Sequence, residues 1–415
     1  MSAMPTIMKK PAMPTIMKKP AMPTIMKKPA MPKTPRTRGM TRMVTTSPIA
    51  EARRLIVKIG SSLLVDEASG HIRRAWLDSL CDDVAKARAR GQEIILVSSG
   101  AVAVGRRHLR LTPPLRLEEK QAAAATGQIR LAHAYQEALA RHGITVAQVL
   151  LTLDDSEDRR RYLNARETLE TLLKLGAVPV INENDTVATA EIRFGDNDRL
   201  AARVAQMIAA DALVLFSDID GLYTADPRRD SDARFLPVVD DITPEIEAMA
   251  GDPVSGYGSG GMVTKLVAAK ICLSAGCRMA ICKGEPMHPL TALEDGARAT
   301  WFLPSASART ARKQWIFGSM NPAGTIRLDT GAARALAAGK SLLPAGVVGI
   351  DGEFERGDCV LVTSADNRVL GRGLSAYSAE DARRIIGRKS TDIEAILGYR
   401  GRDELIHRDD LVMEG

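Results

Sequence analysis

The chain has 415 residues, 45% hydrophobic and 26% charged, enough for two or three domains with their own cores. Its best apolar runs, at 93–97 and 212–216, have strand length and exclude a membrane-spanning helix. The net charge of +7 belongs to residues 1–50, which hold ten Lys and Arg and no Asp or Glu; beyond them 47 basic residues face 50 acidic ones, which excludes a basic nucleic-acid binder as the first reading.

The chain opens on a repeat, Ala-Met-Pro-Thr-Ile-Met-Lys-Lys-Pro, from Ala3, Ala12 and Ala21. Two prolines per nine residues allow neither a helix nor a ladder, so 1–52 is expected to be a disordered basic extension. Order is expected from Arg53. Strands are predicted over 54–59, 93–98, 145–151, 177–182, 212–217, 278–282 and 300–303. Helical patterns cover 73–90, 101–110, 116–142, 162–175, 197–210 and 262–275, and a polar loop covers 183–196. Strands alternating with long helices predict an α/β domain over 53–304, a mainly parallel open sheet sandwiched by helices.

After Pro304 the texture changes. Residues 305–322 read as a linker. Short strands follow at 324–328, 347–351, 358–363 and 368–374, with helical pieces at 330–338 and 378–387. That predicts a small, mostly-β domain over 323–402 and a C-terminal tail over 403–415. The cysteines (Cys81, Cys272, Cys277, Cys282 and Cys359) are odd in number and match no common zinc spacing. They read as free thiols in a reducing cytoplasm.

The chemistry gathers at strand ends, where ligands bind in open α/β sheets. Lys58 lies inside an apolar strand that runs into Gly60-Ser61-Ser62, so it must meet either an anion or a structural carboxylate. Ser98-Ser99-Gly100 repeats the device, as a ligand turn or as an ordinary βα turn. Asn182-Glu183-Asn184-Asp185 and Gly195-Asp196-Asn197-Asp198 put two carboxylate–amide clusters around a strand end and a helix start. They suit the ammonium and carboxylate of an amino acid, although Asx turns use the same residues. Ser217-Asp218 ends another strand, with Asp218 placed to orient a lysine or a magnesium ion. Gly256 to Lys265 is a glycine-rich loop entering a helix, better suited to nucleotide phosphates than to a dinucleotide, because no strand precedes it. Two lysines, glycine turns and an acid, with no nucleophile–base pair, point to phosphoryl transfer.

These strings resemble the glutamate 5-kinases of the amino acid kinase family, as do Leu163-Asn164-Ala165-Arg166, Gly221 to Pro227 and Trp315-Ile316-Phe317-Gly318. The likeness runs from about Leu55 to Asp410. It implies the amino acid kinase fold followed by a PUA domain. It further implies ATP-dependent phosphorylation of L-glutamate, with Mg²⁺ accompanying ATP, as the first step of proline synthesis. Lys58 and Lys265 would neutralise the transferring phosphoryl group and Asp218 would organise both. Ser217, Asp218 and the stretch Ser259, Gly260, Gly261, Met262, Val263, Thr264 and Lys265 would contact ATP. Ser99, Asp185 and Asn197 would bind glutamate, with Asp196 close by. Proline would inhibit, a homo-oligomer is expected, and a separate γ-glutamyl phosphate reductase would receive the labile product. The competing reading is an RNA-binding or RNA-modifying protein acting through the PUA domain. The 13 basic against 15 acidic residues from Ala323 to Gly415 speak against it.

Overall fold

The computed structural model describes residues 48–413, apart from 67–68, 188–196, 252–260, 308–309 and 312–321. The basic repeat, Asp196, Ser259, Gly260 and Trp315 to Gly318 lie outside the described residues. Order begins earlier than expected. Ile49 is fully buried, and the Gln92 side-chain amide donates to the carbonyls of Ile49 and Ala52, which ties residues 48–52 to the domain.

In chain order the larger domain contains strand β1 (Arg54–Ile59), helices α1 (Ser61–Leu64) and α2 (Arg74–Ala89), β2 (Glu93–Val97), α3 (Ala101–His108) and α4 (Leu117–Ala140). Next come β3 (Val146–Leu151), α5 (Asp154–Glu157), α6 (Arg159–Lys174), β4 (Val178–Glu183), α7 (Asn197–Met207) and β5 (Ala212–Ser217). Short elements follow: β6 (Leu222–Tyr223), β7 (Phe235–Leu236), β8 (Val238–Val239) and α8 (Pro244–Ala248). Then α9 (Met262–Ser274), β9 (Arg278–Lys283), α10 (Pro289–Glu294) and β10 (Ala299–Phe302) complete the domain.

Eight of these strands form one sheet in the order β3-β4-β2-β1-β5-β9-β10-β8. Every pairing is parallel except that of β10 with β9. Buried strands of Val, Ile and Leu suit a sheet covered on both faces. One apolar core lies under α2, α3 and α4, and the other under α6, α7 and α9. The chain runs from β1 outward through β2, then crosses back to β5 on the other side of β1. The carboxyl ends around β1 therefore form the switch-point crevice where open sheets take ligands.

Helices α3 and α4 cross backbone to backbone. A Cβ on Gly105 would sit 1.7 Å from the Ala123 carbonyl oxygen, and one on Gly127 would sit 1.9 Å from that of Ala101. Only glycine permits this approach, which brings α4 down onto the ends of β2 and β4.

The smaller domain has its own core and a five-stranded sheet: β11 (Gly324–Leu328), β12 (Val347–Gly352), β13 (Cys359–Ser364), β14 (Val369–Leu374) and β15 (Leu411–Met413), in the order β12-β11-β13-β14-β15. The segment 403–415 was expected as a tail, but β15 belongs to the sheet, antiparallel to β14. Helix α6 carries the contact between the domains. Arg166 Nη1 donates to both Asp410 oxygens at 2.8 and 3.0 Å, with both residues buried, and Glu167 pairs with Arg356 and Arg402. Gly357, at φ +92°, lies against Leu163, where a Cβ would come within 2.0 Å of Leu163 Cδ1.

All five cysteines are buried and free, as expected. No helix among the described residues is long and apolar enough to cross a membrane.

Candidate active site

Alternation along β1 sends Ile56 and Lys58 to the face covered by α7 and α9, and Leu55, Val57 and Ile59 to the other. Lys58 is buried there, and its Nζ lies 2.7 Å from Asp198 Oδ1. Asp198 stands in the first turn of α7, one helical turn before the core residues Ala201 and Ala202. Lys265, in the first turn of α9, puts its Nζ 3.1 Å from Asp198 Oδ2, and the Thr264 hydroxyl donates to the same oxygen at 3.1 Å. One carboxylate, only 2% exposed, thus gathers two ammonium groups from distant segments. Burial by itself would raise the Asp198 pKa. Lys58 and Lys265 outweigh that and hold the carboxyl well below the usual range. The ionised cluster carries one net positive charge, a setting for an anionic group in transfer.

This geometry corrects one expectation. Asp218 does not hold the lysines here; its Oδ1 accepts a hydrogen bond from Ser217 Oγ at 2.9 Å, and the residue is exposed at the end of β5. Asp198 takes the organising role because α7 starts directly over β1. The sequence displayed Asp198 among several acids, with no signal to single it out, since its partners lie far away along the chain.

The residues expected to meet glutamate gather around the ends of β2 and β4. Asn197, the first residue of α7, donates from Nδ2 to Ser99 Oγ at 2.9 Å, which joins two of the expected glutamate residues. Its buried side-chain carbonyl oxygen has no hydrogen-bond partner among the described residues, leaving an acceptor for a ligand donor. Asp185 is buried just beyond β4, its carboxyl pushed up to about 7, first by burial and then by the nearby charge of Glu183. An approaching cation would offset both causes by favouring the ionised form. Ser98 and Asn182, buried immediately before these groups, bond to Tyr135 and Gln128 of α4. Sequence reading passed over those two helical residues.

Of the residues expected to meet ATP, Gly261, Met262, Val263 and Thr264 lead into Lys265 at the start of α9. The first N–H groups of a helix lack intrahelical partners and attract anions. Ser217 ends β5, the strand paired with the Lys58 strand β1, and Asp218 follows it.

Residues 53–283 match the model of the amino acid kinase family, and residues 324–397 match that of the PUA domain. A glutamate 5-kinase of Paramagnetospirillum magneticum is 78% identical over 369 residues, 89% of this chain and 100% of that protein. Glutamate 5-kinases of Rhodospirillum rubrum (63% identity, 86% of this chain, 96% of that protein) and Cereibacter sphaeroides (60%, 88% and 98%) are also similar. On the strength of the family match and these near-full-length relatives, the chain belongs to the amino acid kinase family, within its glutamate 5-kinase branch that carries a C-terminal PUA domain.

Proposed function

We propose that this chain transfers the γ-phosphoryl group of ATP to a γ-carboxylate oxygen of L-glutamate, yielding ADP and γ-glutamyl phosphate, in the first step of proline synthesis. The observation that carries the reading is the pair of ammonium groups, Lys58 and Lys265, held on Asp198 between a helix N-terminus and an amino-acid-binding strand end. Phosphoryl transfer needs positioning and charge neutralisation more than covalent chemistry, and the cluster supplies both. The lysines neutralise the equatorial oxygens of the transferring group while Asp198 keeps them apart and oriented. Ser217, Asp218, the α9 terminus and the preceding Ser259 and Gly260 hold ATP. Asp185 and the Asn197 side-chain carbonyl receive the glutamate α-ammonium, and Ser99 and Asp196 complete the set of glutamate residues.

The exposed carboxylate of Asp218 would hold a Mg²⁺ ion accompanying ATP, and the ion would supply neutralisation of phosphate charge. Among the described residues no cluster of three or more His, Cys, Asp and Glu forms a metal site of its own. Free proline, which shares the α-ammonium and α-carboxylate of glutamate, inhibits by competing for the amino-acid side. The acyl phosphate passes to a separate γ-glutamyl phosphate reductase, and the chain works as a homo-oligomer in the cytoplasm.

The test is hydroxamate formation from ATP, glutamate and hydroxylamine, with and without proline. Glutamate-dependent product, reduced by proline, is the expected result. Phosphorylation of acetylglutamate or aspartate in place of glutamate would overturn the reading.

A further inference from the structure

Strand register puts Val97 of β2 beside Ile181 of β4, so Ser98 and Asn182 are the next facing positions. Both are buried: Ser98 follows Leu96 onto the face covered by α4, and Asn182 follows Val180 onto the same face. Polar side chains buried against an apolar helix need partners there. Helix α4 provides two, seven residues apart and therefore on one side of the helix. The fully buried Tyr135 hydroxyl donates to Ser98 Oγ at 3.1 Å, and Gln128 Oε1 accepts from Asn182 Nδ2 at 2.7 Å. Asn182 Oδ1 accepts in turn from the Glu183 backbone N–H at 2.9 Å, and the Ser98 backbone N–H donates to the Ile181 carbonyl at 2.8 Å.

Each anchored residue lies close along the chain to a piece of the amino-acid side. Ser98 directly precedes Ser99, the hydrogen-bond partner of Asn197, and Asn182 lies three residues before Asp185. Neither Tyr135 nor Gln128 has a hydrogen bond to Lys58, Lys265, Asp198 or Ser217. The support is therefore one-sided.

We infer that Tyr135 and Gln128 are positioning residues for the amino-acid substrate: their two hydrogen bonds from α4 fix the spacing between Ser99 and the Asp185 turn, and so set glutamate affinity while leaving the nucleotide side alone. The inference rests on the proposed glutamate kinase reading. Tyr135→Phe keeps the ring in its pocket and removes only the donor; Ser98→Ala removes the acceptor together with the Ser98 Oγ donation to the Ser99 carbonyl at 3.3 Å; Gln128→Met leaves Asn182 Nδ2 without its acceptor. Steady-state kinetics of hydroxamate formation should show the glutamate KM raised about two- to tenfold in Tyr135→Phe and in Ser98→Ala, the range one net hydrogen bond spans. The double variant should rise no further than Ser98→Ala alone, because that substitution already removes the Tyr135–Ser98 bond. Gln128→Met should raise the glutamate KM in the same direction, and in all variants the ATP KM should stay within about twofold.

A merely structural role would move both KM values or only the thermal midpoint. An unchanged glutamate KM in Tyr135→Phe, additive effects in the Tyr135–Ser98 cycle, or an equal rise in the ATP KM overturns the inference. If Gln128→Met fails to fold, the Tyr135–Ser98 cycle decides alone. A wild-type chain inactive on glutamate would overturn the kinase reading instead, so the two failures are distinguishable.

Discussion

At the scale of single residues, the site depends on where charge is buried. Asp198 is nearly inaccessible and carries two ammonium partners, so each lysine is preorganised before any phosphate arrives. Lys58→Ala and Lys265→Ala are each expected to lower kcat by about 10²–10³-fold, the ~2.7–4 kcal/mol that one preorganised contact supplies. An unchanged kcat in either variant would remove that lysine from the mechanism. Asp185 makes a different statement. Its folded pKa lies near 7 against an ordinary 3.8, so between those values the native protein holds a proton that the unfolded chain has released. The stability from this group therefore falls as pH rises across that window and stays low above it. Asp185→Asn should raise the thermal midpoint relative to wild type at about pH 8 and change it little at about pH 4, where both chains are neutral at this position. An α-ammonium favours the ionised carboxylate. The wild-type glutamate KM should accordingly fall between about pH 6 and about pH 8, and this trend should flatten in the variant. A wild-type KM independent of pH would separate Asp185 from the substrate ammonium.

At the scale of elements, local propensity and tertiary need disagree at two glycines. Gly105 and Gly127 lie inside helices, where glycine costs roughly 1 kcal/mol against alanine. The α3–α4 crossing explains both, since an added Cβ would strike a carbonyl oxygen of the facing helix. Gly127→Ala should destabilise the protein by at least ~1–3 kcal/mol despite its better propensity, as overpacking does, and urea unfolding would measure it. Stabilisation would mean that the two helices can part cheaply. The long strands and helices were legible because each carries a buried stripe of its own. The short strands β6, β7, β8 and β15 were not, because two or three residues become a strand only through a partner. Residues 48–52 were missed for a similar reason, as Gln92 holds them from another element.

At the scale of the whole molecule, the PUA domain is docked by charge on the helix that precedes the site strand β4. The Arg166–Asp410 pair is buried, and Arg166 Nε also donates to Glu170 Oε1 at 3.0 Å, so removing Asp410 takes one of two carboxylate partners from the guanidinium. Asp410→Ala should cost about 1.5–3 kcal/mol, the range of a hydrogen bond to a charged group, and separate the calorimetric transitions of the two domains. An apolar replacement of both, Arg166→Met with Asp410→Leu, should recover most of the loss. A single unshifted transition in Asp410→Ala would show that the pair contributes nothing to docking. The acidic balance of the smaller domain and its engagement of α6 both suit an intramolecular role.

Taken alone, the sequence determined the alternation of elements and the two domain types, and it singled out the strand ends and the two lysines that the proposed chemistry uses. Apolar period, turn residues and a lysine inside a hydrophobic strand are local signals with local physical causes. Only the tertiary structure decided which acid meets those lysines, which helical side chains bond to Ser98 and Asn182 and which arginine pairs with Asp410. Asp198, Tyr135, Gln128 and Asp410 look unremarkable in their own segments. Their roles come from burial next to partners that the fold brings from far along the chain, and no local pattern encodes such a contact.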